Sequence, residues 1–174
     1  MPETCGSCGG PIDEQGHCNC STFADGTLIL AKKHQISAIE IAANPDGGYW
    51  NLTGLSKIKG KELLITAIGG KWFLANHQEP VDASGSNKFI ANEEFLCPNT
   101  PQGALIAKIG GDNYKGGSHV FHIGMRGWIS SDYEGNIWLA CNSRKLDFER
   151  NSGKVFVVIA DGDFSEKGFG AVGT

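Results

Sequence analysis

Short apolar runs separated by glycine-rich turns recur through most of this chain. The runs are rich in Ile, Val, Leu and aromatic residues, which favour β-strands, and turn segments such as "NPDGG" and "GGDNYKGG" separate them. The strand-like runs are residues 27–31, 35–43, 62–73, 103–110, 119–124, 136–142 and 154–162. No segment combines a helical period with caps over three turns. The pattern predicts an all-β protein, an antiparallel β-sandwich of about eight strands.

Length and charge exclude several classes of protein. The 174 residues suit one ordinary domain. With 15 basic and 19 acidic residues the net charge is -4, which argues against a nucleic-acid partner. No run reaches the roughly 18 apolar residues of a membrane span, so no membrane insertion is expected. The start of the chain lacks a secretory signal, which predicts a cytoplasmic protein as synthesised, with later non-classical release as an option.

Residues 1–22 form a cysteine-rich head. Cys5, Cys8, Cys18 and Cys20 follow a C-x2-C and C-x-C spacing across a turn-rich spacer, and this pattern resembles a zinc knuckle. Four thiolates around one Zn²⁺ would hold the head together and leave no open position for chemistry, so docking or assembly is its expected role. His17 is an alternative ligand, and two disulfides or a frayed tail are the competing interpretations.

Four stretches of the body carry a family resemblance through their order and spacing. They are residues 47–73, 82–85, 97–110 and 135–159, and they resemble the LecA-type bacterial galactophilic lectins. The resemblance implies a galactose-binding-like, jelly-roll β-sandwich over residues 23–163, a carbohydrate partner and a homo-oligomer. A glycine-rich tail, 164–174, follows.

The loop "CNSRKLDFERNSG" before the last strand corresponds to the place where the resembled lectins bind Ca²⁺ and sugar. The resemblance puts calcium ligands at Ser143, Asp147, Arg150 and Asn151, and a ligating carbonyl near Ala75. A guanidinium offers no acceptor and would repel Ca²⁺. Three interpretations stay open: Arg150 replaces the ion and pairs with Asp147, a weak or displaced Ca²⁺ site persists, or a metal-free sugar site uses Arg150, Asp147 and nearby aromatic rings.

The sugar contacts of the family are altered. Ile90, Ala91 and Glu93 stand at the positions that the resemblance aligns with the sugar-contacting residues, so galactose specificity is not expected to transfer. Trp72, at a strand end, and His77, in the long loop near Ala75, are further candidate ligand contacts.

Catalytic motifs are absent from the sequence. It contains no G-x-S-x-G, no H-E-x-x-H and no P-loop, and "GFGAVG" at 168–173 has no helix after it. The expected function is therefore non-catalytic carbohydrate binding through the loop end of the sandwich. The alternative is a structural subunit of a homo-oligomeric, fibre, filament or phage-tail-like assembly.

Overall fold

The computed structural model describes residues 38–112 and 119–161, all within the compact unit Ala38–Thr174. These residues form eight strands and one 3-10 helix. The strands are β1 Ile39–Ala42, β2 Asn51–Lys57, β3 Leu63–Phe73, β4 Leu105–Ile109, β5 Val120–His122, β6 Arg126–Ile129, β7 Gly135–Cys141 and β8 Ser152–Asp161; the 3-10 helix is Lys145–Arg150. No helix in this described part is long and apolar enough to cross a membrane.

The strands form two four-stranded antiparallel sheets. The first sheet has the order β1-β8-β3-β6, and the second has the order β2-β7-β4-β5. The all-β sandwich prediction is therefore confirmed. The predicted zinc head, the run 27–31 and the C-terminal tail lie outside the described residues.

The core lies between the inner faces of the two sheets. Ile65, Val155 and Val157 of the first sheet share one buried cluster with Leu105 and Leu139 of the second. Alternate residues along each strand supply this cluster, because successive side chains on a strand point to opposite faces. The period-2 pattern in the sequence reflects this arrangement.

Strand β4 is buried on both faces, as its apolar alternation predicts. All five of its residues are buried. Leu105 and Ala107 face the core between the sheets, while Ile106 belongs to a second buried cluster on the other side. The long Lys108 side chain also lies there, with Nζ 4.8 Å from the ring of Trp50.

Two strands, β2 and β6, are not predicted from the sequence. Strand β2 pairs with β7 through a register shift between Leu52 and Ser56, and β6 pairs with β3. Their sequences, "NLTGLSK" and "RGWI", have too few alternating apolar residues to predict a strand. Pairing with longer neighbours fixes them instead.

The pairing of β3 with β8 brings two distant segments to one end of the sandwich. Phe73 at the end of β3 pairs with Ser152 at the start of β8, and Trp72 pairs with Gly153. Gly153 has φ +86°, and a Cβ there would lie 2.6 Å from the Lys71 carbonyl oxygen. Only glycine fits this approach, which places the β7–β8 loop beside residues 74–77.

Candidate functional site

The β7–β8 loop is folded rather than open. Its 3-10 helix buries Phe148, whose ring centroid lies 4.9 Å from that of Tyr49. The backbone N–H of Asn151 donates to the Phe148 carbonyl at 3.1 Å and closes the helix. The sequence does not predict this turn of helix.

The first end of the loop is fixed by Asn142, which is fully buried. Its Oδ1 accepts a hydrogen bond from the Cys97 N–H at 2.9 Å, and its Nδ2 donates to the Cys97 carbonyl at 2.8 Å. Nδ2 also donates to the Thr100 hydroxyl at 2.8 Å. Since a buried amide without such partners is costly, these bonds tie the loop to the segment before β4.

The second end of the loop is fixed by Asn151. Its Oδ1 accepts a hydrogen bond from the Ala75 N–H at 3.0 Å, and its Nδ2 donates to the Ser143 hydroxyl at 2.7 Å. Ser143 and Asn151 are both buried. Three positions carried over from the family resemblance are therefore in direct contact.

Asp147 lies at the centre of the loop, with a side chain that is only 7% exposed. Its Oδ2 accepts a hydrogen bond from Asn76 Nδ2 at 2.9 Å, and its Oδ1 is bonded to a terminal nitrogen of Arg150. The Nε of Arg144 lies 3.7 Å from Oδ2, within ion-pair range but too far for a hydrogen bond. Both carboxylate oxygens thus have partners.

Two guanidinium groups flank this carboxylate from different sides. The Arg150 side chain is 64% exposed, so it covers Asp147 from the solvent side and is not enclosed within the loop. Arg144 is more buried and pairs with Glu94 at 3.0 Å. The site therefore carries two guanidinium cations, each of which is paired with a carboxylate.

A shallow, solvent-open pocket lies where three segments of the chain meet. Residues 74–77 after β3, Phe95 and Gln102 from the segment before β4, and residues of the β7–β8 loop line it. Among the candidate site residues, five line this one pocket: Ala75, His77, Ser143, Asp147 and Asn151. Arg150 joins them through its bond to Asp147.

His77 lines the pocket, and the ring of Phe89 packs against it. His77 Nε2 lies 2.9 Å from Gln102 Oε1, and the His77 ring meets the Phe89 ring edge-on at 5.3 Å between centroids. Phe89 is 52% exposed. A polar group and an exposed apolar ring thus lie side by side.

Trp72 is not at the surface of the site. Its side chain is fully buried, and its indole N–H donates to the Gly103 carbonyl at 2.7 Å. A ring with no exposed face cannot stack on a sugar, so Trp72 belongs to the core beneath the pocket. The position of Trp72 at a strand end had made it a candidate ligand contact, and its burial argues against that role.

The residues of the loop do not fit a Ca²⁺ ion in this arrangement. Calcium takes about six to eight oxygen ligands, whereas Asp147 is the one carboxylate lining the pocket and both its oxygens have partners. Asn151 Oδ1 accepts the Ala75 N–H, and two guanidinium groups repel a cation. Across residues 38–112 and 119–161, no group of three or more His, Cys, Asp or Glu side chains is placed to hold a metal.

Sequence reasoning missed three pocket residues. Asn76 bonds to Asp147, Arg144 contacts the same carboxylate, and Gln102 faces His77. Asn76 directly follows the predicted carbonyl position, and Arg144 directly follows Ser143, so proximity to the carried-over positions was the available signal. Gln102 comes from a segment that no motif connects to the loop.

Comparison with known proteins finds similarity among solved structures. No family model matches the chain, and no curated protein does. A solved structure described as "EclA N-terminal domain; PllA-like lectin" is similar over 72% of this chain and 97% of that chain, with a TM-score of 0.51 and 18% sequence identity. At this identity the likeness concerns the fold. The described sandwich therefore has the fold of a PllA-like lectin domain.

Proposed function

We propose that the protein is a non-catalytic lectin that binds a carbohydrate in the loop-end pocket without a metal ion. The observation that carries this proposal is the convergence of Ser143, Asp147 and Asn151 with the segment after β3 in a lectin-type sandwich. Ligand sites are typically concave and combine apolar walls with a few placed polar groups.

The pocket has the chemistry that a sugar requires. Sugar hydroxyls both donate and accept hydrogen bonds, and the amides and charged groups around Asp147 offer partners of both kinds. The C–H face of a sugar ring packs on exposed apolar surface, which the half-exposed ring of Phe89 supplies beside His77. A metal is unnecessary here because Arg144 and Arg150 already provide positive charge.

Galactose is not the expected sugar. Ala91, one of the positions aligned with the family's sugar contacts, is buried and makes backbone hydrogen bonds to Thr100 and Asn99. Ile90 is exposed and apolar, and Glu93 is acidic. None of the three reproduces the polar contacts that the resemblance would supply.

A glycan array probed with the full chain, with and without EDTA, tests the proposal. We expect binding to at least one glycan class, unchanged by EDTA. The His77→Ala variant should weaken that binding about tenfold or more, because a polar contact with the sugar is lost, whereas His122→Ala, at an exposed histidine on β5, should not. Folded protein that binds no glycan would refute the function, and binding abolished by EDTA would refute its metal independence.

A second candidate function is assembly into a homo-oligomer, and the outer face of the first sheet supports it. The outer face of the first sheet carries an apolar stripe in which Leu64 pairs with both Trp128 and Ala160, with Phe156 and Val158 alongside. Trp128 is 50% exposed. Monomeric proteins seldom expose such contiguous apolar patches.

The proposed occupant of this stripe is a second copy of the chain. Glu40 lies on β1 and Arg126 on β6, at opposite edges of the same sheet. A face-to-face packing about a two-fold axis parallel to the strands sets β1 of one copy over β6 of the other, which brings Arg126 near Glu40, a carboxylate that also pairs with Lys154 of its own copy. Light scattering should show a dimer or larger species that Trp128→Glu dissociates; a monomer at all concentrations would refute it.

A further inference from the structure

The side-chain oxygens of the pocket already accept hydrogen bonds within the protein, whereas some side-chain donors have no acceptor. Asp147 accepts bonds at both carboxylate oxygens, and Asn151 Oδ1 accepts the Ala75 N–H. Ser143 Oγ accepts from Asn151, which leaves its own O–H available to donate. A ligand that enters this pocket therefore meets more donors than acceptors.

Arg144 is the clearest unsatisfied donor. Its Nε is buried and has no hydrogen-bond partner within the described ranges. Arg144 as a residue is part of the pocket lining. The distance of 3.7 Å to Asp147 is too long for a hydrogen bond, and the contact with Glu94 uses a terminal nitrogen instead. A buried guanidinium N–H without an acceptor costs free energy that an incoming acceptor recovers.

Arg150 adds a second source of donors beside the pocket, where it is bonded to Asp147. One terminal nitrogen bonds to Asp147, and the remainder of the guanidinium is open to solvent. Guanidinium groups match the planar geometry of a carboxylate and form paired, charge-assisted hydrogen bonds with it. Glu94, which pairs with Arg144, has a side chain that is 57% exposed.

We infer that the ligand is an acidic sugar whose anionic group, a carboxylate or sulfate, is placed against Arg144 and Arg150. This inference rests on the proposed lectin function and specifies the class of sugar. The acidic group accepts from the buried Nε and from the exposed guanidinium, while the sugar ring lies toward His77 and Phe89.

Calorimetric titration of the full chain with matched sugars tests this inference. The acidic probes are methyl galacturonoside, N-acetylneuraminic acid and a galactose sulfate. The neutral probes are methyl galactoside and the methyl ester of the galacturonoside. We expect at least one acidic sugar to bind about tenfold or more tightly than its neutral partner, with an affinity that falls as salt rises. The uronate and sulfate arms show which anion the site takes.

Variants separate the site from general surface charge. Arg144→Gln should lose the preference for acidic sugars, and Arg144→Lys should keep part of it, since charge remains but the Nε donor is gone. Lys59→Gln removes an exposed cation in the turn between β2 and β3, at the other end of β3 from the pocket, and should change nothing. Thermal melting of each variant confirms that it is folded.

Three results would overturn the inference. Equal affinity for acidic and neutral sugars would leave the lectin function intact and remove the acidic specificity. Free acetate or sulfate binding as tightly as the acidic sugars would show an anion site without sugar recognition. Failure of every sugar, acidic and neutral, would refute the lectin function as well.

Discussion

The side-chain oxygen of Asn151 accepts a 3.0 Å hydrogen bond from the backbone N–H of Ala75, which joins the β7–β8 loop to the end of β3. Asn151→Ala removes this acceptor and the donor to Ser143, so we expect a loss of about 1–3 kcal/mol in the free energy of unfolding. Urea denaturation measures it. Asn44→Ala removes only an exposed 3.3 Å bond and should cost under about 0.5 kcal/mol; equal losses would contradict this role.

Asn142 should be more sensitive still. Replacement by Leu leaves the buried N–H and carbonyl of Cys97 without their side-chain partner, and we expect at least about 2 kcal/mol of destabilisation. Hydrogen exchange of the Cys97 amide provides a local check, because protection there should fall more than in β4. An unchanged amide would mean that the bond contributes little.

Gly153 offers a test of close backbone approach. Gly153→Ala forces a Cβ to 2.6 Å from the Lys71 carbonyl at a positive φ, so we expect a loss of at least about 2 kcal/mol. Gly54→Ala is the matched control, since φ is +76° but nothing lies within 4 Å of its Cβ. Its cost should be only the strain of about 1 kcal/mol. Denaturation midpoints of the two variants decide whether the approach matters.

Cys141 should make stability depend on alkaline pH. Burial raises the pKa of its thiol well above the ordinary value of 9.0. The folded state therefore keeps the proton while the unfolded state loses it, so stability is full below about pH 9 and falls as pH rises further. Wild type should lose more unfolding free energy than Cys141→Ala between pH 8 and pH 10, roughly the range in which unfolded thiols ionise; parallel curves would argue against this effect.

Metal content tests the cysteine head and the loop together. We expect one Zn²⁺ per chain, bound by Cys5, Cys8, Cys18 and Cys20, and no Ca²⁺ after purification in calcium-containing buffer. Elemental analysis by mass spectrometry measures both ions. Cys5→Ser with Cys8→Ser should remove the zinc. Stoichiometric calcium would contradict the closed loop, and zinc retained by the double variant would contradict the ligand set.

Apolar alternation was enough to predict the strands that form the centre of each sheet. Strands β3, β4, β7 and β8 carry long runs of Ile, Val and Leu, and all four are present. Strands β2 and β6 depend on hydrogen bonding to β7 and β3, which no local pattern records. Long-range pairing therefore explains what the sequence could not predict in the fold.

The site was predictable where a position could be carried over, and not where tertiary contact alone defines it. Ser143, Asp147 and Asn151 were placed in one loop by resemblance and do meet in one pocket. Arg144 is a candidate ligand contact because its buried Nε has no hydrogen-bond partner. Trp72 is not a ligand contact because its side chain is fully buried. Side-chain direction and burial depend on the whole fold.

The two asparagines that hold the β7–β8 loop have a consequence for how such a chain can change. Asn142 and Asn151 anchor the loop through the backbone of neighbouring segments, so its fixation does not depend on the side chains of Lys145, Leu146 or Glu149. These three side chains, which lie between the two anchoring asparagines, are therefore free to vary. We expect substitutions at these three exposed positions to leave the shape of the pocket unchanged.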